Sequence, residues 1–154
     1  MPVIPSIQYH VTDEPDYSYV FVNVGLHRIG ELIVDKVAKC RARLGSIHVE
    51  KKWKRVRPWS ERLVSFNFRS HEIVNFQGKG IGAELLGRLR SWCLRNGVTE
   101  VFGSVTAEDL EETPTLLEWY AKRRFAPHPP SEECLEGSVA MVVWKSASDQ
   151  GPTV

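Results

Sequence analysis

The chain has 154 residues, 42% of them hydrophobic and 25% charged, which is the length and make-up of a single globular domain. It carries 20 Lys and Arg against 19 Asp and Glu, a net charge of +1. A wholly disordered or collagen-like chain is excluded, and a balance this close argues against a nucleic-acid coat or a polybasic membrane binder.

In chain order, residues 6–12 and 17–24 are rich in β-branched and aromatic side chains, with Asp13-Glu14-Pro15-Asp16 between them, and predict two strands. Residues 28–34 and 40–50 predict two more. Leu26, Ile29, Ile33, Val37, Cys40 and Leu44 also fit a helical stripe, so both readings stay open there. Residues 61–69, with Leu63, Val64, Phe66 and Phe68 on both faces, predict a strand covered on both sides. Ile81, Leu85, Leu89 and Trp92 recur at helical steps, so residues 80–96 form the clearest helix, with Gly97 placed to cap it. Residues 98–106 alternate as a strand. Thr113-Pro114 opens a second helix, whose inward face is Leu116, Leu117 and Tyr120. Residues 138–144 predict a last strand, and residues 146–154 a polar tail outside the domain of residues 1–145. The pattern predicts an α/β (α+β) fold, a mixed sheet with helices packed on its faces.

Cys40, Cys93 and Cys134 form no CxxC pair, which leaves neither a zinc ribbon nor a disulfide framework; no metal is expected, and a reducing cytoplasm is the default. No apolar run reaches the roughly 20 residues a membrane span needs, and Met1-Pro2-Val3-Ile4-Pro5 lacks the basic and apolar regions of a signal peptide.

The most informative segment is Gln77-Gly78-Lys79-Gly80-Ile81-Gly82-Ala83, between a strand and the long helix. Its glycines permit a tight turn with no side chains in the way of a ligand, and the helix start offers free N–H groups to a phosphate. No Gly-Lys-Ser/Thr follows, so it is not a Walker loop, and it lacks the spacing of the dinucleotide fingerprint. Gln77-x-x-Gly80-x-Gly82 resembles the pyrophosphate loop of the GNAT superfamily of acyl-CoA-dependent N-acetyltransferases. Leu116-Leu117-Glu118-Trp119-Tyr120-Ala121-Lys122-Arg123-Arg124-Phe125 resembles that family's second motif, a helix carrying Tyr and ending in Gly-Phe, with Arg124 here in the place of the glycine.

The resemblance covers about residues 60–145. It implies a mixed, mostly antiparallel central sheet splayed into a V and flanked by helices, with acetyl-CoA as co-substrate in the split. It also implies transfer of the acetyl group to a primary amine, on a small molecule or a peptide, by direct attack. Residues 77–83 are then the cofactor-binding loop. Family spacing makes residues 61–69 the strand beside the thioester, because starting from residues 44–50 would leave a long structureless connection. His71 and Glu72 would then lie near the acyl end of the cofactor as candidate bases. Tyr120, whose phenol stays protonated at neutral pH, would return a proton to the leaving thiolate. A non-catalytic CoA-binding or RNA-associated adaptor on the same fold is the alternative, and a homodimer is left open.

Two charge asymmetries accompany this site. Residues 51–69 hold seven Lys/Arg and one Glu, interleaved with Trp53 and Trp59, a pattern of RNA binders and more often of a solvated strand face. Residues 100–118 hold six acidic residues and no Lys or Arg, which suits either a solvated loop or the steering of a cationic amine.

Overall fold

The computed structural model describes residues 6–56, 71–76 and 80–147, with the backbone alone for 52–56 and 71–75. Nine strands and three helices are described: β1 (Ile7–Asp13), β2 (Tyr17–Val24), β3 (His27–Ala38), β4 (Arg41–Val49), β5 (Lys52–Val56), β6 (His71–Asn75), α1 (Ile81–Asn96), β7 (Glu100–Thr106), α2 (Ala107–Glu112), α3 (Leu116–Ala121), β8 (Ala126–His128) and β9 (Ser138–Lys145). Seven strands make one sheet in the order β1-β2-β3-β4-β7-β9-β8, and β5 and β6 pair separately. Every pairing is antiparallel except β4 with β7.

The alternation of β2 shows how the layers form. Ser18, Val20, Val22 and Val24 are buried, while Tyr17, Tyr19 and Phe21 between them stay at least partly exposed. An antiparallel meander can leave one face to water in this way. The buried set meets Leu32 and Val34 of β3, Ala42 and Leu44 of β4, and the stripe Ile81, Leu85, Leu89, Trp92 of α1. The strand reading of residues 26–44 therefore prevails over the helical one. Val37 and Cys40, which a helical stripe would bury, are exposed.

Helix α1 ends as its sequence requires: Gly97 takes a left-handed conformation at φ 68° and its N–H bonds to the Cys93 carbonyl. Its C-terminal half is tied to the β1–β2 turn. The Trp92 indole donates to the Glu14 carbonyl at 2.8 Å, and Arg95 pairs with Asp13 at 2.5 Å.

The central split has a local cause. β4 and β7 pair over four residues only, from Arg41 opposite Glu100 to Leu44 opposite Gly103. On the other side of β4, Leu44 faces Val34 and Ser46 faces Ile33, so Gly45 is an extra residue, a β-bulge. A bulge bends its strand and increases the local twist. It sits where pairing to β7 stops, and β4 leaves β7 from that point.

The described strand beside the split is β4. Residues 61–69, expected there from the sequence, lie outside the described residues. The connection after β4 contains the paired strands β5 and β6, so the objection to a long structureless link does not hold. Between the expected strand ending at residue 106 and the expected helix opening at Thr113-Pro114, where the sequence reading has a loop, the chain forms α2. Its signal was the capping box at Thr106 and Asp109, whose side chains each satisfy the other's backbone N–H.

Candidate functional site

Two cavities meet at the split. The larger, of about 520 Å³, lies between the end of β4, the start of α1 and helix α3. Gly80, Ile81, Gly82 and Ala83 of the sequence-selected loop line it, facing Ile47 and Val49 of β4. Gln77, Gly78 and Lys79 lie outside the described residues.

The two described glycines serve different ends. Gly80 precedes the helix at φ 73°, a conformation L-residues avoid, and an added Cβ there would meet nothing within 4 Å. At Gly82 a Cβ would stand 2.8 Å from Cζ2 of Trp119, so this glycine makes room for α3 to close against α1. The sequence reading gave the glycines two purposes together, a tight turn and clearance for a ligand. The structure gives Gly80 the backbone purpose and Gly82 a packing one, room for Trp119.

Cations and strand-edge main chain also line the cavity. Arg123 lines it, with its guanidinium 4.1 Å from the Trp119 ring centroid and a hydrogen bond to the Trp119 carbonyl at 3.0 Å. Behind it stands Arg90, whose pKa is held below the ordinary arginine value by burial first and then by Arg124 and Arg123. Lys51 lines the cavity and reaches the Glu112 carbonyl at 2.7 Å, at the C-terminal end of α2, where a cation is favoured. The Glu50 N–H bonds to Ile29 of β3, and alternation along the strand then turns the backbone N–H and C=O of Ile47 and Val49 toward the cavity. Sequence reading missed Arg123, Lys51 and this stretch of β4. Lys51 had been seen only as part of a basic run.

The smaller cavity, about 200 Å³, is lined by Ser46 and Ile47 of β4, Ser104 of β7, Thr106, Asp109 and Tyr120. Ile47 lines both cavities. Tyr120 is buried, packed edge-on to Trp119 and tilted against Phe125 at 5.5 Å. Burial, and after it the Asp109 carboxylate, push its phenol well above the ordinary tyrosine value. The phenol is therefore neutral throughout the physiological range.

The end of α3 accounts for Arg124. The Phe125 N–H bonds to the Tyr120 carbonyl and the Arg124 N–H to that of Ala121, the Schellman pattern, with Arg124 left-handed at φ 67°. The arginine adopts the backbone that glycine would adopt there, and Phe125 still folds back onto Tyr120.

His71 and Glu72, the candidate bases, stand in a strand. Their backbones belong to β6, opposite Val56 and Arg55 of β5. They stand four to five residues along the strand from Phe76, which lines the larger cavity. At about 3.3 Å per residue that is roughly 13–17 Å. Among the described residues no group of His, Cys, Asp and Glu could hold a metal ion, and no helix is long and apolar enough to cross a membrane.

No protein-family model and no curated protein sequence matches the chain. Solved structures do. A PaiA N-acetyltransferase from Thermoplasma acidophilum, in complex with coenzyme A, superposes with a TM-score of 0.56 at 16% identity, over 85% of this chain and 62% of that one. A GNAT-family acetyltransferase from Staphylococcus aureus gives 0.57 at 12% identity, over 84% and 68%. A Klebsiella pneumoniae protein described as an acyl-CoA N-acyltransferase gives 0.59 at 6% identity, over 90% and 97%. The fold is thus the one found in GNAT acetyltransferases. The chain spans less than two thirds of the length of the Thermoplasma protein.

Proposed function

We propose that the protein is an N-acetyltransferase that takes an acetyl group from acetyl-CoA and passes it to a primary amine without a covalent acyl-enzyme. The observation that carries this reading is the split itself. A parallel strand pair parts at a bulge and opens beside a helix start whose first turn is glycine-rich. The described residues suit the donor. The first turn of α1 with Arg123 and Lys51 supplies N–H groups and positive charge for a pyrophosphate. The backbone groups of Ile47 and Val49, which have no strand partner on that side among the described residues, can hold an amide-bearing chain as a neighbouring strand would.

Acetyl-CoA supplies an activated acyl carbon. The chain's own part is to orient it, to accept the proton the amine loses and to protonate the departing sulfur. Tyr120, neutral and lining the smaller cavity, is the group we assign to the last task. Calorimetry with acetyl-CoA followed by free-thiol release with a panel of amines tests the reading. Binding with turnover supports it, binding without turnover favours the CoA-sensing adaptor, and no binding removes both. The RNA-associated alternative rests on residues 51–69, of which Lys51 alone has a described side chain.

A further inference from the structure

Resting on that reading, we propose that the 200 Å³ cavity binds the acceptor as a cation, with Asp109 facing the ammonium group and Ser46 passing its proton to Glu31. The cavity is small beside the roughly 300–1,000 Å³ of ordinary ligand pockets, so it takes an amine head group or a short aliphatic amine. Among its described lining residues one is charged, Asp109, and none is cationic. Its carboxylate is fixed in place because one oxygen accepts both the N–H and the hydroxyl of Thr106, at 2.8 and 2.9 Å. A fixed anion in the wall of a small cavity favours an ammonium over a neutral or anionic acceptor.

The proton path starts at Ser46, in the wall of the same cavity. Its hydroxyl donates to Oε1 of Glu31 at 3.0 Å across β3 and β4. Glu31 is half-buried, and the groups that share its face are His48 opposite on β4, Phe21 of β2 with Arg28 stacked on it, and beyond them Asp35 paired with Arg43. The carboxylate therefore communicates with bulk water on the open sheet face and with the cavity through one hydroxyl.

The step balances as follows. The bound R–NH₃⁺ gives one proton through Ser46 to Glu31. The freed amine attacks the thioester carbon, so the C–N bond forms and the C–S bond breaks with its electron pair on sulfur. Tyr120 protonates that sulfur and recovers the second nitrogen proton, and Glu31 releases its own to solvent. The products are R–NH–acetyl, a free thiol and one proton.

The test uses the whole chain, acetyl-CoA and primary alkylamines from ethylamine to hexylamine, with β-alanine, whose ammonium is accompanied by a carboxylate that Asp109 should repel, for comparison. Asp109→Asn keeps the capping oxygen and removes the charge. It should raise the propylamine KM at least tenfold and weaken propylamine binding without acetyl-CoA, read by NMR titration, while calorimetric acetyl-CoA affinity stays within twofold. Glu111→Gln, on the same helix but outside the cavity, should change neither. Glu31→Gln and Ser46→Ala should each lower kcat about tenfold or more at neutral pH, with the loss shrinking as pH rises and free amine accumulates. Acetyl-CoA bound normally but propylamine indifferent to Asp109→Asn, or β-alanine used as well as propylamine, overturns the acceptor assignment alone. A flat pH dependence of the Glu31→Gln deficit overturns the proton path. Absence of acetyl-CoA binding overturns the underlying reading and this one with it.

Discussion

Gly80 and Gly82 lie two residues apart in one motif, and the structure requires the same substitution to destabilise each for a different reason. At Gly80 the backbone is left-handed and the space beyond it is empty, so Gly80→Ala should cost roughly 1 kcal/mol in backbone strain. For a domain of this size that lowers Tm by about 2–4 °C. At Gly82 the backbone is helical and the obstacle is Trp119, 2.8 Å from the new methyl carbon. Carbon atoms rest at about 3.5–4.0 Å, so the indole or α1 must move by close to an ångström, at a cost of about 1–3 kcal/mol. The movement reaches the cleft because Arg123 lies on the Trp119 ring. Thermal unfolding of a double-mutant cycle separates the two. Trp119→Leu should recover most of the loss from Gly82→Ala and none of that from Gly80→Ala. Acetyl-CoA, which adds about 2.7 kcal/mol at a hundred times its Kd, should stabilise the Gly80→Ala protein more than the Gly82→Ala protein. If Gly82→Ala and Trp119→Leu combine additively, within about 0.5 kcal/mol, the contact does not govern that glycine.

Tyr120→Phe should leave Tm within a few degrees but lower kcat by roughly 10²-fold, the usual size of a lost general acid; unchanged kcat across pH 6–9 would make the residue packing alone. The same residue sets an alkaline limit. Its folded-state pKa is raised, so the unfolded chain loses its proton first and stability falls as pH rises past about 10, a slope that Tyr120→Phe should flatten in denaturant titrations. Arg124→Gly should raise stability by up to about 1 kcal/mol by removing a left-handed non-glycine residue, checked by urea unfolding. Burial pushes the Cys93 thiol up to about 12, so alkylation of the native protein should label Cys40 and Cys134 and spare Cys93 until unfolding.

The elements with one dominant periodicity were legible before any coordinates. The β2 segment alternates strictly, and the α1 stripe runs uninterrupted to its glycine cap. The lost detail lies where a short apolar run fits two periods, as in residues 26–44, and where a helix buries no large stripe, as in α2. There the cap alone carried the information. The larger cavity was half legible. Gly80 and Gly82 announce a turn beside a helix start, but nothing local in Arg123 or Lys51 tells that the chain will bring them to the same cleft. Ser46 and Glu31 are fifteen residues apart in sequence and share a hydrogen bond only because of the β3–β4 register. A register is a non-local property, and the bulge that sets it here is a single glycine.

That glycine makes the cleft a matter of counting. Without Gly45, β4 would run in step with β3, and its residues beyond Leu44 would fall opposite the continuation of β7. Ser46 would meet Ser104, Ile47 would meet Val105 and His48 would meet Thr106, with apolar beside apolar and polar beside polar. The two strands are thus written to match along their whole length and are kept apart by one inserted residue. A one-residue deletion at this point would zip the sheet shut. The resulting protein would be expected to keep its core and its helices, gain backbone hydrogen bonds at its centre, and have nowhere left for a substrate to enter.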